Sequence, residues 1–208
     1  SFSILQKYFL INLPSMKTKL IFICTIFLVT ALLYNGCSEK EKDTAEIKQM
    51  QFGGFESQVK WGEHLVTLGG CNDCHTPKKM TPKGPVMDME LTMSGHPAEL
   101  PPPEVDRAEI EKKGLIVTRE LTSWIGPWGI SYSANLTPDP TGIGNWQESS
   151  FIVALKDGKY KGMPSGRTLL PPMPWEFFKD ISDDEIKAMF AYLKSLKPVK
   201  NLVPQPVP

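Results

Sequence analysis

The sequence is short of residues that staple or ligate. It carries 4 cysteines and 3 histidines in 208 residues. Two of the cysteines, Cys24 and Cys37, sit in and at the end of an apolar run, which leaves no disulfide framework. A four-ligand zinc site with a second C-x-x-C knuckle is missing too. There is no net charge, with 23 basic and 23 acidic residues, and nothing suggests the basic face that a nucleic-acid footprint needs. The main apolar run, residues 20–34, falls short of the ~20 residues that span a bilayer. Proline is not scarce: 19 of them argue for long stiff loops over dense secondary structure.

The amino terminus reads as an address. Residues 20–34, LIFICTIFLVTALLY, follow Lys17 and Lys19, a positive start before an apolar stretch of signal-peptide length. Asn35-Gly36-Cys37 then resembles the end of a bacterial lipoprotein signal, with a small residue before the cysteine that receives the lipid. Met16 is the natural initiator, which makes 1–15 an upstream extension, 16–36 a signal peptide and 37–56 a flexible charged tether. Residues 1–36 hold three lysines and no acid, so the remainder has 20 basic and 23 acidic residues. The chain is expected to be exported and lipid-anchored through Cys37, with an uncleaved signal anchor and an unmodified Cys37 as the alternative, and with residues 57–208 as a domain in the periplasm.

Within that domain stands Cys71-Asn72-Asp73-Cys74-His75. Two thiols at this spacing with an adjacent imidazole are what covalent haem attachment requires. The thiols form thioethers to one porphyrin and the imidazole is its proximal ligand. A thioredoxin-like pair would need a preceding strand. Here an amphipathic helix, Ser57 to Gly69, precedes it, with Gly69-Gly70 as its stop. No second C-x-x-C-H occurs, so one haem c is expected. Gly62 lies on the apolar face of that helix and demands a close neighbour there. Tyr192 and Phe190, on the last helix, are the candidates to pack on it.

Residues 76–113, with seven prolines, are expected to be a long loop without a packed core element. The Pro85 carbonyl is a candidate acceptor for the second ring N–H of His75, with an ordinary turn as the alternative. Residues 115–122 and 130–134 are expected to flank Trp124-Ile125-Gly126-Pro127-Trp128-Gly129 as a small hairpin, whose tryptophans cover a haem edge or fill a core. Asn145, with Glu148 three residues on, predicts the start of a middle helix that ends at Gly158. Ser182 and Glu185 predict a capping box on a final helix stopped by Pro198. The tail after it is expected to lie extended on the surface. Asn135, the Trp146 indole and Arg167 are candidate partners for haem propionates, because buried carboxylates need donors.

The second axial ligand is sought among nine methionines. Met173 lies in Leu169-Leu170-Pro171-Pro172-Met173-Pro174-Trp175, a stiff frame that can hold a thioether in place. Met163, His64 and His96 remain as alternatives. His/Met ligation would close both axial positions, giving an electron carrier and not an enzyme. A haem sensor or enzyme with an open iron, and a haem subunit of a dehydrogenase or oxidase complex, are the alternative readings.

These motifs in this order resemble a class I c-type cytochrome. The stretches SANLTPD-P-TGIGNW, GRTLLPPMPW, ISDDEIK and AYLKSL are similar to the cytochrome c subunits of periplasmic alcohol, aldehyde and gluconate dehydrogenases. The resemblance implies a mostly α fold, three or more helices around one covalent haem, with a long proline-rich loop and a small β-hairpin insertion. It implies Cys71 and Cys74 as attachment points, His75 as proximal and Met173 as distal ligand. It implies redox partners among dehydrogenases, oxidases or other cytochromes.

Overall fold

The computed structural model describes residues 51–208. The upstream extension, the signal peptide, Cys37 and most of the tether lie outside the described residues. Among the described residues there are five α-helices and five short strands. No helix among them is long and apolar enough to cross a membrane.

Helix α1, Gln58–Leu68, starts where the Ser57 hydroxyl accepts the Lys60 N–H at 3.2 Å. It stops at Gly69, and Gly70 turns the chain with φ of 63°. The end of the expected tether packs onto it: the Phe55 ring lies 4.8 Å from the His64 ring. Helix α2, Cys71–His75, is one turn long. Helix α3, Arg107–Lys112, is capped by Asp106. Helix α4 spans Glu148–Lys156 and helix α5 spans Asp183–Ser195. The expected capping box on α5 is present, with Ser182 and Glu185 exchanging both bonds. For α4 the expectation was two residues early. Gln147 is its N-cap, and no side chain caps it.

Helices α1 and α5 cross at Gly62. A Cβ there would stand 1.8 Å from the Ala188 carbonyl oxygen and 2.9 Å from the Tyr192 Cβ. Of the two expected neighbours, Tyr192 is there. Phe190 instead faces Phe151 of α4, with ring centroids 5.3 Å apart. Val66, Ile186, Met189, Leu193, Leu155 and Ile143 complete the same core.

Residues 76–113 carry more structure than expected. Strands β1, Lys78–Thr81, and β2, Gly84–Met87, pair antiparallel. After them Met93, Ser94 and His96 are wholly or almost wholly buried, and Ile110 of α3 is buried too. Strands β3, Val117–Arg119, β4, Ser123–Gly126, and β5, Gly129–Tyr132, form one antiparallel sheet. The Trp124 segment is therefore a strand itself, with Pro127-Trp128 as the tight turn. Trp124 is buried.

The tail is a strap, not a loose end. The Asn135 side-chain N–H donates to the Val199 and Asn201 carbonyls, and Asn201 donates to Ser94 and His96 carbonyls at 2.7 and 2.9 Å. Val207 pairs with Ile130 beyond β5. Pro198 to Pro208 thus sews two long loops together.

Candidate functional site

Cys71 and Cys74 lie three residues apart on α2, so their thiols leave one turn on neighbouring faces. They are not joined to each other. Burial pushes the Cys71 thiol up to about 11 and the Cys74 thiol up as well. Redox-active pairs need the opposite, a thiolate favoured by nearby positive charge. These are neutral thiols against an apolar margin, since Cys71 borders the core cluster.

His75 is buried, and its Nδ1 donates to the Ala134 carbonyl at 2.8 Å. That bond fixes the tautomer and leaves the Nε2 lone pair free. Burial holds the ring below its ordinary pKa, against the pull of the Ala134 carbonyl. The imidazole is thus neutral and ready to donate to a metal. The acceptor is Ala134 and not Pro85. Pro85 sits in β2, opposite Met80.

A ladder of backbone bonds builds this side of the site. Gly95 donates to the His75 carbonyl at 2.9 Å, His96 to Ser133 at 2.9 Å, and Leu136 to Met93 at 2.8 Å. The Thr76 hydroxyl donates to Asn72 and accepts the Met93 N–H at 3.0 Å. The segments 93–96 and 133–136 therefore lie side by side against α2. Sequence reasoning missed Thr76, Met93 and Ala134. None of the three left a side-chain signal in the sequence.

Of the candidate distal ligands, the two histidines are committed elsewhere. The buried His96 ring uses both nitrogens, at 2.9 Å to Thr122 and 2.8 Å to the Leu100 carbonyl. His64 is exposed and lies on Phe55. Met163 is 48% exposed. Met173 is half-buried and packs against the same core cluster that Cys71 borders. Its loop is pinned on both sides. The Trp175 ring lies flat on Gly158, where a Cβ would come within 2.3 Å of it and φ is 61°. Leu169 donates to the Gly158 carbonyl at 2.7 Å. Beyond the loop, Phe178 approaches Gly69 beside Cys71: a Cβ on Gly69 would be 3.5 Å from the Cys71 Sγ and 3.6 Å from the Phe178 ring.

No family model matches the chain. One of the subunits of nicotinate dehydrogenase from Pseudomonas putida is 42% identical over 79 residues, covering 38% of this chain and 6% of that protein. The cytochrome c subunit of alcohol dehydrogenase (quinone) of Gluconobacter oxydans is 34% identical over 146 residues, covering 69% of this chain and 23% of the relative. The gluconate 2-dehydrogenase cytochrome c subunit of Pantoea cypripedii is 29% identical over 138 residues, covering 66% and 23%. The chain is similar to dehydrogenase cytochrome c subunits. It spans less than a quarter of the length of these relatives.

The donor set fits the covalent haem that a cytochrome c subunit implies. Cys71 and Met173 border one apolar cluster, and within one turn of Cys71 stand a second neutral thiol, Cys74, and an imidazole with one free nitrogen, His75. The other polar candidates divide. Trp146 is half-buried at the core margin. Arg167 is exposed, with its guanidinium 3.9 Å above the Tyr160 ring and one N–H on the Thr168 carbonyl. Asn135 has a different task from the expected one. Its oxygen accepts from the Thr137 N–H and hydroxyl, and its N–H groups hold Thr141 and the strap. It has no donor left for a propionate.

Proposed function

We propose that residues 52–208 form a monohaem c-type cytochrome domain of class I, which carries single electrons between a dehydrogenase and a further redox protein. The observation that carries the reading is His75: a buried neutral imidazole, aimed by Ala134 through Nδ1, with Nε2 free and two thiols within one turn. A haem held here supplies one-electron exchange and nothing else. Cys71 and Cys74 would hold it covalently, and His75 and Met173 would be its two protein ligands. With both ligands in place the iron would be closed to substrate, and a thioether ligand would raise the reduction potential above that of a two-histidine site. Trp146 and Arg167 are the proposed propionate donors. Cys37 is the proposed lipid attachment, which tethers the domain at a membrane on the periplasmic side.

An optical spectrum with a redox titration tests the haem assignment. One haem per chain is expected, with a far-red ferric charge-transfer band from the thioether ligand. Met173→Ala is expected to lose that band and to bind carbon monoxide readily. A wild-type protein that itself binds carbon monoxide fast would overturn the closed-site reading. The tether is tested by Cys37→Ala, which is expected to release the protein from membranes.

A further inference from the structure

The strand that ends the small sheet touches both sides of the site. On the proximal side, Ala134 holds His75. Three residues earlier, Ser131 of β5 is 5% exposed and its hydroxyl lies 2.6 Å from the Pro171 carbonyl, two residues before Met173. The Trp128 indole N–H donates to the same hydroxyl at 3.0 Å. A serine hydroxyl has one proton to give. With Trp128 donating to its oxygen, that proton points at Pro171. The indole therefore fixes the direction of the hydroxyl, and the hydroxyl fixes the entry of the methionine loop.

We propose that Ser131, oriented by Trp128, is a positioning residue for the distal ligand Met173. Residues 128–134 then set both axial ligands from one rigid segment, the histidine through Ala134 and the methionine loop through Ser131. The segment is itself anchored: β5 pairs with β4 on one side, and Ile130 pairs with Val207 of the strap. Trp128 packs over Gly126, where a Cβ would lie 2.6 Å from its ring, so the indole has one place to be. This inference rests on the reading of Met173 as the distal ligand. It adds a second role for the hairpin, beyond covering an edge: it withholds from the methionine loop the freedom to swing away.

The test uses the haem-loaded wild type with Ser131→Ala, Ser131→Thr, Trp128→Phe and Met173→Ala. Two readouts are taken: the intensity of the far-red ferric band against temperature, and the rate of carbon monoxide binding to the ferrous protein, which is limited by departure of the thioether. Ser131→Ala is expected to raise the carbon monoxide rate about fivefold, the factor one neutral hydrogen bond carries. It also loses the far-red band at lower temperature. Ser131→Thr, which restores a hydroxyl, is expected to return both readouts toward wild type. Trp128→Phe is expected to shift them in the same direction as Ser131→Ala, by less. Ile186→Val, in the core away from the loop, controls for general loosening. If it moves the two readouts as much as Ser131→Ala does at matched loss of stability, positioning is overturned. An unchanged Ser131→Ala alongside a Met173→Ala that lacks the band also overturns it, while the ligand assignment stands. A Met173→Ala protein that keeps the band overturns the ligand assignment, and the proposal with it.

Discussion

Two buried histidines show how one residue type is put to two uses. His75 has a carbonyl on one nitrogen and nothing of the protein's own on the other. His96 spends both nitrogens inside the fold. With Nε2–H donated to the Leu100 carbonyl, Nδ1 accepts from the Thr122 hydroxyl, so the ring is neutral as it stands. Burial holds its pKa below the ordinary value; Leu100 and Glu120 pull it up and Arg119 pushes it down. The sign follows from linkage. An unfolded His96 takes up a proton near pH ~6.5, whereas the folded one resists until lower pH, so the unfolded state gains as pH falls through that window. Stability is present above the unfolded pKa and is lost on acidification toward the folded one. His96→Gln is expected to be less stable at neutral pH and to lose less on going from about pH 7 to about pH 5. Denaturant titrations across that range check this. A variant as acid-sensitive as the wild type would show that His96 does not carry the effect.

Among elements, the crossing of α1 and α5 is the joint on which the others depend. In an exposed helix, Gly62→Ala would gain about 1 kcal/mol from backbone entropy. Here the added methyl meets the Ala188 carbonyl oxygen, a backbone atom of a helix that cannot bend away. The expected result is a net loss of about 1–3 kcal/mol, as for other overpacked contacts, read as a lower denaturation midpoint. A stabilised variant would mean the helices are free to separate. This joint was legible in the sequence, because apolar spacing, a serine cap and a glycine on the buried face are local signals. C-x-x-C-H is a local signal too, and with the proline-framed methionine it is the sequence basis of the proposed donor set. The His75 acceptor was not legible. Every residue carries a carbonyl, so nothing in its side chain marks Ala134 over Pro85. The segment 93–96 was illegible for a related reason. Thr76, Ser94 and His96 are buried by partners up to 107 residues away, and polar residues whose burial depends on distant partners leave no periodicity. The start of α4 was misread because Asn145 has the side chain of a cap, yet the chain enters the helix at Gln147 without one.

For the whole molecule, the question is what the fold does without the proposed haem. The main hydrophobic cluster holds nine buried residues drawn from α1, α4, α5 and the loops around Met93 and Ile143. Leu65, Cys71, Met173 and Phe178 pack on it while only partly buried, and Cys71 brings the thiol side of the site into that margin. Those four come from two separate parts of the chain, 65–71 and 173–178, and a group attached through Cys71 and Cys74 is the natural bridge between them. A cofactor held in the folded state alone stabilises that state by its binding free energy. Cys71→Ser with Cys74→Ser removes the covalent hold and leaves two hydroxyls beside apolar side chains. The α1–α5 crossing and the capping box are made by the protein alone, so helical content is expected to survive. The Met173 loop and the ladder around His75 lose the partner that unites them. The expected product keeps most of its far-ultraviolet circular dichroism, loses near-ultraviolet signal, and binds hydrophobic dye, as loosely packed states do. Its stability is expected to fall by more than about 3 kcal/mol, the scale of a large core deletion. A double variant that melts cooperatively at the wild-type temperature would show that the protein part is a complete fold, and that the thiol side of the core needs no bridge.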